Sequence, residues 1–320
     1  MKNTIYISIF FCYALVNSAI GQDPQFSQYY ANPLYLNPAF AGNSFCPKLS
    51  LSYRNQWAGL GGGFKTYSFA FDKYIEGVSG GIGALLTQDK SGAGGLTTTT
   101  FNLMYAYTIT INKALSFKAG MQLGYFQHSI NWNELKFADM YDGSSGGFKQ
   151  TSEIQNMSLG RGMDVAAGGI LYSEKVFGGV AVHHLTEPEQ SLFGYEDSKL
   201  KRRITVHAGA NFEIESVIGE FTVSPNLLLE KQHNFYQYNL GCYVERNAFV
   251  IGGWYRWKDA VMVLIGIDYN NLRIGYSFDY TTSKLGASKP LGSHEISCTY
   301  KFKCSPVKRK KYRTAACPQF

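Results

Sequence analysis

Residues 101–111 read Phe101-Asn102-Leu103-Met104-Tyr105-Ala106-Tyr107-Thr108-Ile109-Thr110-Ile111. Every second side chain is large and apolar. The ones between are polar, small or Met. Successive side chains on a strand point to opposite faces, so this stretch is a strand with one greasy face and one wetter face. The same pattern recurs downstream. Ile204-Val206-Ala208-Ala210-Phe212-Ile214 alternates with Thr205, His207, Gly209, Asn211 and Glu213. Leu272-Ile274-Tyr276-Phe278-Tyr280 alternates with Arg273, Gly275, Ser277 and Asp279.

Working outward, period-two alternation broken by Gly, Asn, Asp and Ser covers the chain from Pro47 onward. It marks about fourteen strands, near 47–57, 66–74, 77–88, 96–111, 114–132, 163–173, 176–185, 201–214, 220–231, 235–245, 248–256, 260–269, 272–281 and 293–303. Many are 9–12 residues long, the length of a tilted strand crossing a bilayer. Globular strands average about five or six residues.

The links sort by length. Tight turns fall at Tyr74–Gly77, Ile111–Ala114, Ser173–Val176, Glu245–Ala248 and Tyr269–Leu272. Longer links fall at 57–66, 132–163, 185–201 and 281–293. With the first strand running outward, all the long links lie on one side. Outer-membrane barrels have short periplasmic turns and long external loops. The expected fold is therefore all-β, a transmembrane antiparallel β-barrel of about 14 strands. A soluble array of β-sandwiches gives no reason for that sorting.

Composition agrees. Of 320 residues, 17% are charged and 15% aromatic, with 34 Gly. Ordinary soluble proteins carry about 25% charged residues. Beyond the first twenty residues there is no apolar run of about 18, which a spanning helix needs.

Met1-Lys2-Asn3, the apolar stretch Ile5–Val16 and the small residues Ala19 and Gly21 form the three-part layout of a secretory signal, with the mature chain starting at Gln22. Outside Cys12 there are five cysteines: Cys46, Cys242, Cys298, Cys304 and Cys317. Their spacing suits no zinc site. Cys304 and Cys317 are one candidate pair in an oxidising compartment.

The polar strand faces turn toward the lumen, carrying Arg54, Asp72, Lys118, His207, Glu213, Glu230, Glu245, Asp268, Arg273 and Asp279. Facing lipid, each would cost up to a few kcal/mol. With both signs mixed, a salt-bridged interior is expected. Tyr53, Tyr107, Trp132, Tyr172, Trp254, Tyr255, Trp257 and Tyr269 sit near segment ends, where interface girdles form.

Residues 22–45 stand outside the alternation. Pro33 and Pro38, each after an Asn, bar a long strand or helix. Yet Phe26, Tyr29, Tyr30, Leu34, Tyr35, Leu36 and Phe40 are too apolar for a solvated linker. The segment packs on the barrel's interior, on its periplasmic mouth, or on a partner. The candidate docking or plug residues are Asp23, Pro24, Phe26, Tyr29, Tyr30, Asn32, Pro33, Asn37, Pro38 and Phe40. The C-terminal end holds Lys301, Lys303, Lys308, Arg309, Lys310, Lys311 and Arg313, which together equal the net charge of +7. This end is either a solvated tail or a site for acidic headgroups.

No hydrolase, zincin or phosphate-loop motif occurs. His183-His184 and Ser293-His294-Glu295 are contiguous, so strand alternation sends neighbouring side chains apart. No catalytic residue, cofactor or metal is expected.

The segment Asp23-Pro-Gln-Phe-Ser-Gln-Tyr-Tyr-Ala-Asn-Pro-Leu-Tyr-Leu-Asn-Pro-Ala-Phe-Ala-Gly42 resembles the opening motif of the PorP/SprF family. Tyr53-Arg-Asn-Gln-Trp57, Val182-His-His-Leu-Thr186 and Gly292-Ser-His-Glu-Ile296 look like later signatures of that family. The resemblance implies an outer-membrane component of the type IX secretion system of Bacteroidetes. It implies as partners other secretion components and cargo with a C-terminal sorting domain, gliding adhesins among them. It supplies no catalytic residue. The expected layout is a signal peptide at 1–21, a plug or docking segment at 22–45, a barrel at 46–303 and a basic tail at 304–320. Outer-membrane lipid is the expected surround, and nucleic acid is not an expected partner. A docking barrel is the leading reading, a solute channel the second and a barrel hydrolase a distant third.

Overall fold

The computed structural model describes residues 23–59, 63–92, 95–132, 135–142, 147–152, 160–191, 198–216, 219–283 and 292–304. The expected signal peptide at 1–21, the tail beyond Cys304, Gly61, Gly62, Gly94 and parts of the links 132–163, 185–201 and 281–293 lie outside them.

Fourteen antiparallel strands form one sheet that closes on itself. They are β1 (Lys48–Gln56), β2 (Phe64–Ile75), β3 (Gly80–Ser91), β4 (Leu96–Thr110), β5 (Ser116–Ile130), β6 (Gly160–Tyr172), β7 (Val176–His183), β8 (Arg203–Ala210 with Phe212–Ser216), β9 (Gly219–Gln232), β10 (Phe235–Arg246), β11 (Phe249–Arg256), β12 (Ala260–Tyr269), β13 (Leu272–Thr281) and β14 (Gly292–Lys301). Each pairs with its neighbour in sequence. The seam is β1 on β14, with Lys48 opposite Lys301 and Gln56 opposite Ser293. Closure leaves no open sheet edge around the wall, which an apolar surround requires.

The alternation holds through the wall. On β4, Phe101, Leu103, Tyr105, Tyr107 and Ile109 are exposed on the outside, while Asn102, Met104 and Ala106 are buried inside. Ile204, Val206, Ile274 and Phe278 likewise face out, and Thr205, His207, Ser277 and Asp279 face in. Among the described residues no helix is long and apolar enough to cross a membrane.

One strand pair overshoots the barrel. The Phe212–Ser216 part of β8 pairs only with β9, while β7 ends its pairing at Ala210. Glu213 is therefore exposed on a projecting hairpin and is not inside the lumen. Two girdle expectations are also corrected. Trp254 and Tyr172 are buried inside the barrel. Trp254 shares the face of Val250, Gly252 and Arg256, which is the inner one. The disulfide joins Cys304 to Cys46, not to Cys317. It lies at the rim where β1 starts and β14 ends, and it bridges residues 258 apart that only barrel closure brings together.

Candidate functional site in the barrel lumen

Residues 23–42 lie within the barrel, and Asn43, Ser44 and Phe45 reach its rim. The two Asn-Pro pairs shape them into short turns. Pro33 opens a single helical turn, Pro33–Leu36, and Pro38 opens the 3-10 turn Pro38–Phe40. Pro fits a first helical position because no N–H is needed there. Asn37 Oδ1 accepts a bond from the Ala39 N–H (2.9 Å) and starts the second turn. Phe26, Tyr29, Tyr30, Asn32, Pro33, Leu34, Asn37, Pro38 and Phe40 are all buried; Asp23 and Pro24 are half-buried.

The wall makes room with glycine. A Cβ on Gly120 of β5 would run into the backbone of Ala39, and one on Gly81 of β3 would run into that of Ala41. Only glycine allows so close a backbone approach. On the other side of the lumen, Tyr29 and Tyr30 pack on Trp254, with ring centroids 4.9 and 6.3 Å away.

Three polar clusters hold the segment. The central one is Arg54, Asp279 and Glu295. Arg54 pairs with Asp279 (2.8 Å) and Glu295 (3.3 Å), all three almost fully buried. Glu295 also accepts the backbone N–H groups of Ser27 (2.6 Å) and Gln28 (3.2 Å). The Ser27 hydroxyl bonds to Asp279 and accepts from Arg54. Buried charges persist only when paired and hydrogen-bonded, and here the inner segment adds two backbone N–H groups and a hydroxyl to the ion pairs. A second cluster joins Arg256 Nη2 to the Tyr29 hydroxyl (3.1 Å), which donates to Asn239 Oδ1 (2.9 Å).

The third cluster fixes the amino-terminal end. The Asp23 carboxylate meets His184 Nε2 at 2.7 Å and Arg203 at 3.4 Å. His184 Nδ1 meets Asp164 at 2.8 Å. Arg203 also donates to the Tyr35 hydroxyl (2.9 Å) and stacks over its ring. Burial alone would lower the His184 pKa, but the Asp23 charge and the Asp164 bond outweigh it and push it up to about 9. Burial would raise the Asp23 pKa; His184 and Arg203 outweigh it and hold the carboxyl well below its usual range. Beside this cluster lies a cavity of about 80 Å³, lined by Asp23, Pro24, Tyr35, Asp89, Thr98 and Asn102 among others.

His184 corrects a sequence expectation. Alternation would send the His183 and His184 rings to opposite faces. Instead His184 has a left-handed backbone (φ 57°), which ends the strand and breaks the alternation. Both rings meet the inner segment, His183 through the Leu36 carbonyl (3.3 Å). Ser293-His294-Glu295 stays regular: Ser293 and Glu295 point in, and His294 points out to Tyr276 (2.8 Å).

The other lumen candidates separate. His207 contacts Asn37 (3.1 Å) and stacks on Phe40. Asp72 pairs with Lys48 (3.4 Å), and Lys118 is buried on the inner face of β5. Asp268 and Arg273 pair with each other near the rim that holds the Cys46–Cys304 disulfide. Glu230 and Glu245 are half-buried. Glu295, Arg203, Arg256 and Asp164 are central contacts that no sequence motif singled out as lumen residues. Strand parity alone carried their signal: Glu295 lies between the outward His294 and Ile296.

Over residues 18–300 the sequence matches the family described as Type IX secretion system membrane protein PorP/SprF. The chain belongs to the PorP/SprF family. No curated protein matches it. Among solved structures it is similar to the outer membrane protein Omp33 of Acinetobacter baumannii, at 5% identity and TM-score 0.47, covering 82% of this chain and 100% of that one. It is also similar to the toluene transporter TodX of P. putida, at 10% identity and TM-score 0.45, covering 84% and 93%. A third is the KdgM porin in complex with disordered oligogalacturonate, at 6% identity and TM-score 0.40, covering 80% and 99%. As a PorP/SprF barrel, the chain is an outer-membrane protein of the type IX secretion system. The four stretches that resemble PorP/SprF signatures meet in the lumen: the opening segment, Arg54, the His183-His184 pair and Glu295.

Proposed function

We propose that this barrel supports secretion or surface attachment of cargo, such as gliding adhesins, by docking cargo or secretion machinery, without catalysis. The observation that carries the reading is the occupied lumen. The chain's own residues 23–42 fill the space a solute or polypeptide would cross, and the buried charges of the wall around them are paired. A wall filled this way is a rigid platform, and its use lies in what its two rims present. The contiguous Ser293, His294 and Glu295 point in alternating directions, which is no arrangement for a triad. Crosslinking in native membranes, followed by identification of the attached proteins, tests the proposal. Capture of sorting-domain cargo or a secretion component is the expected result; repeated absence of both counts against it.

A solute channel is the competing reading. Planar-bilayer recording separates the two. Docking predicts a closed intact protein that conducts only once residues 23–45 are deleted. Large steady conductance of the intact chain favours the channel.

A further inference from the structure

Residues 23–46 run from one rim of the barrel to the other. The Cys46 end stands where β1 begins and β14 ends, bonded to Cys304. Phe45 packs there on Tyr74, near the end of β2 (5.4 Å). The Asp23 end stands at the opposite rim. Its N–H donates to Gln232, the last residue of β9 (3.2 Å). Its carboxylate meets His184, just past β7, and Arg203, the first residue of β8.

Below Asp23 there is no way back. Phe26, Tyr29, Tyr30 and Leu34 fill the lumen, each at most 5% exposed. The space next to Asp23 and Pro24 is the cavity at the far rim. That rim carries the long links, between Gln56 and Phe64, Ile130 and Gly160, His183 and Arg203, and Thr281 and Gly292. The links between strands at the Cys46 rim are short, such as those between Tyr172 and Val176, Arg246 and Phe249, and Tyr269 and Leu272. Long links face outward and short turns face the periplasm in such barrels.

We infer that the mature amino-terminus opens on the cell-surface side of the outer membrane. The chain thus crosses the membrane once more than its strands do, through its own lumen, and Asp23 and Cys304 lie at opposite faces. An external polypeptide or processing enzyme can then reach that terminus without the barrel opening. The inference rests on the outer-membrane location, the threading and the expected removal of the leader ahead of Gln22; it stands apart from what the barrel docks.

The test places one epitope between Gln22 and Asp23 and another after Phe320, in separate full-length proteins. Antibody is applied to intact cells and to cells with a permeabilised outer membrane. The expected result is full signal from the first epitope on intact cells, with the second detected only after permeabilisation. A first epitope that stays silent until permeabilisation overturns the inference, and so do two epitopes both detected outside. Where the insertion abolishes the folded, heat-modifiable band, Pro24→Cys replaces it, probed with a membrane-impermeant maleimide and read by mass spectrometry of that peptide. Labelling on intact cells supports the external terminus; labelling confined to permeabilised cells, or none, overturns it.

Discussion

The inner segment is held in two different ways at its two ends. At the periplasmic rim a covalent bond, Cys46–Cys304, fixes it, and the backbones of Gly42 and Gly81 touch. At the other rim it is held by Asp23, His184, Asp164 and Arg203. One attachment does not respond to pH or salt; the other consists of ionisable groups. A segment built this way has a permanent end and a conditional end, with a charged belt between them.

The largest effect should come from that belt. Arg54→Ala leaves Asp279 and Glu295 buried without a counter-charge and should destabilise the barrel by about 3–5 kcal/mol. Urea unfolding in micelles, followed by heat-modifiable migration, reads it. A loss no greater than that of a surface substitution would mean that the belt does not hold the segment.

The permanent end comes next. Cys46→Ser should lower stability by about 2–4 kcal/mol, read by the same unfolding, while the wild type under reduction should match it. The conditional end has a pH signature. His184 titrates near 9 in the folded state, above its ordinary value of about 6.5. Its contribution is therefore complete below about pH 6.5 and lost as pH rises through about 9. The loss is up to about 3 kcal/mol. Hydrogen exchange of residues 23–27, corrected for intrinsic rate, should speed up over that window, while residues 41–45 near the disulfide should not. Equal acceleration at both ends would erase the distinction.

Smaller effects sharpen it. Gly120→Val pushes on Ala39 from the wall and should destabilise by about 1–3 kcal/mol, with bilayer conductance appearing as the segment shifts. Glu213→Ala, on the exposed projecting hairpin, should stay within about 0.5 kcal/mol. A larger change there would assign that hairpin a contact within the barrel.

The strands were legible because alternation over long stretches leaves one solution: the greasy side out, toward lipid. Even Arg54, Asp72 and Asp279 could be placed by parity. What parity could not give was the identity of the inner neighbour. Trp254 reads as a girdle residue because an aromatic near a strand end suits either an interface or a packed lumen; its face, shared with Val250 and Arg256, and the Tyr29, Tyr30 and Tyr243 rings beside it decide for the lumen. His184 escaped because a single left-handed residue stops the alternation, and no pattern in Val182-His-His-Leu-Thr186 announces that. Glu213 escaped because strand parity fixes a direction but not a height along the barrel. The Cys46–Cys304 pair escaped because its partners are far apart in sequence and meet only through the seam.

That bond has a further consequence. The stretch from Cys46 to Cys304 is a covalent hoop containing the entire wall, and residues 23–45 hang from the hoop and thread back through it. Residues 23–304 form a lasso. Fraying of the hydrogen bonds between the first and last strands can part the seam along its length but cannot open the noose until the thiols are reduced, which an oxidising compartment resists.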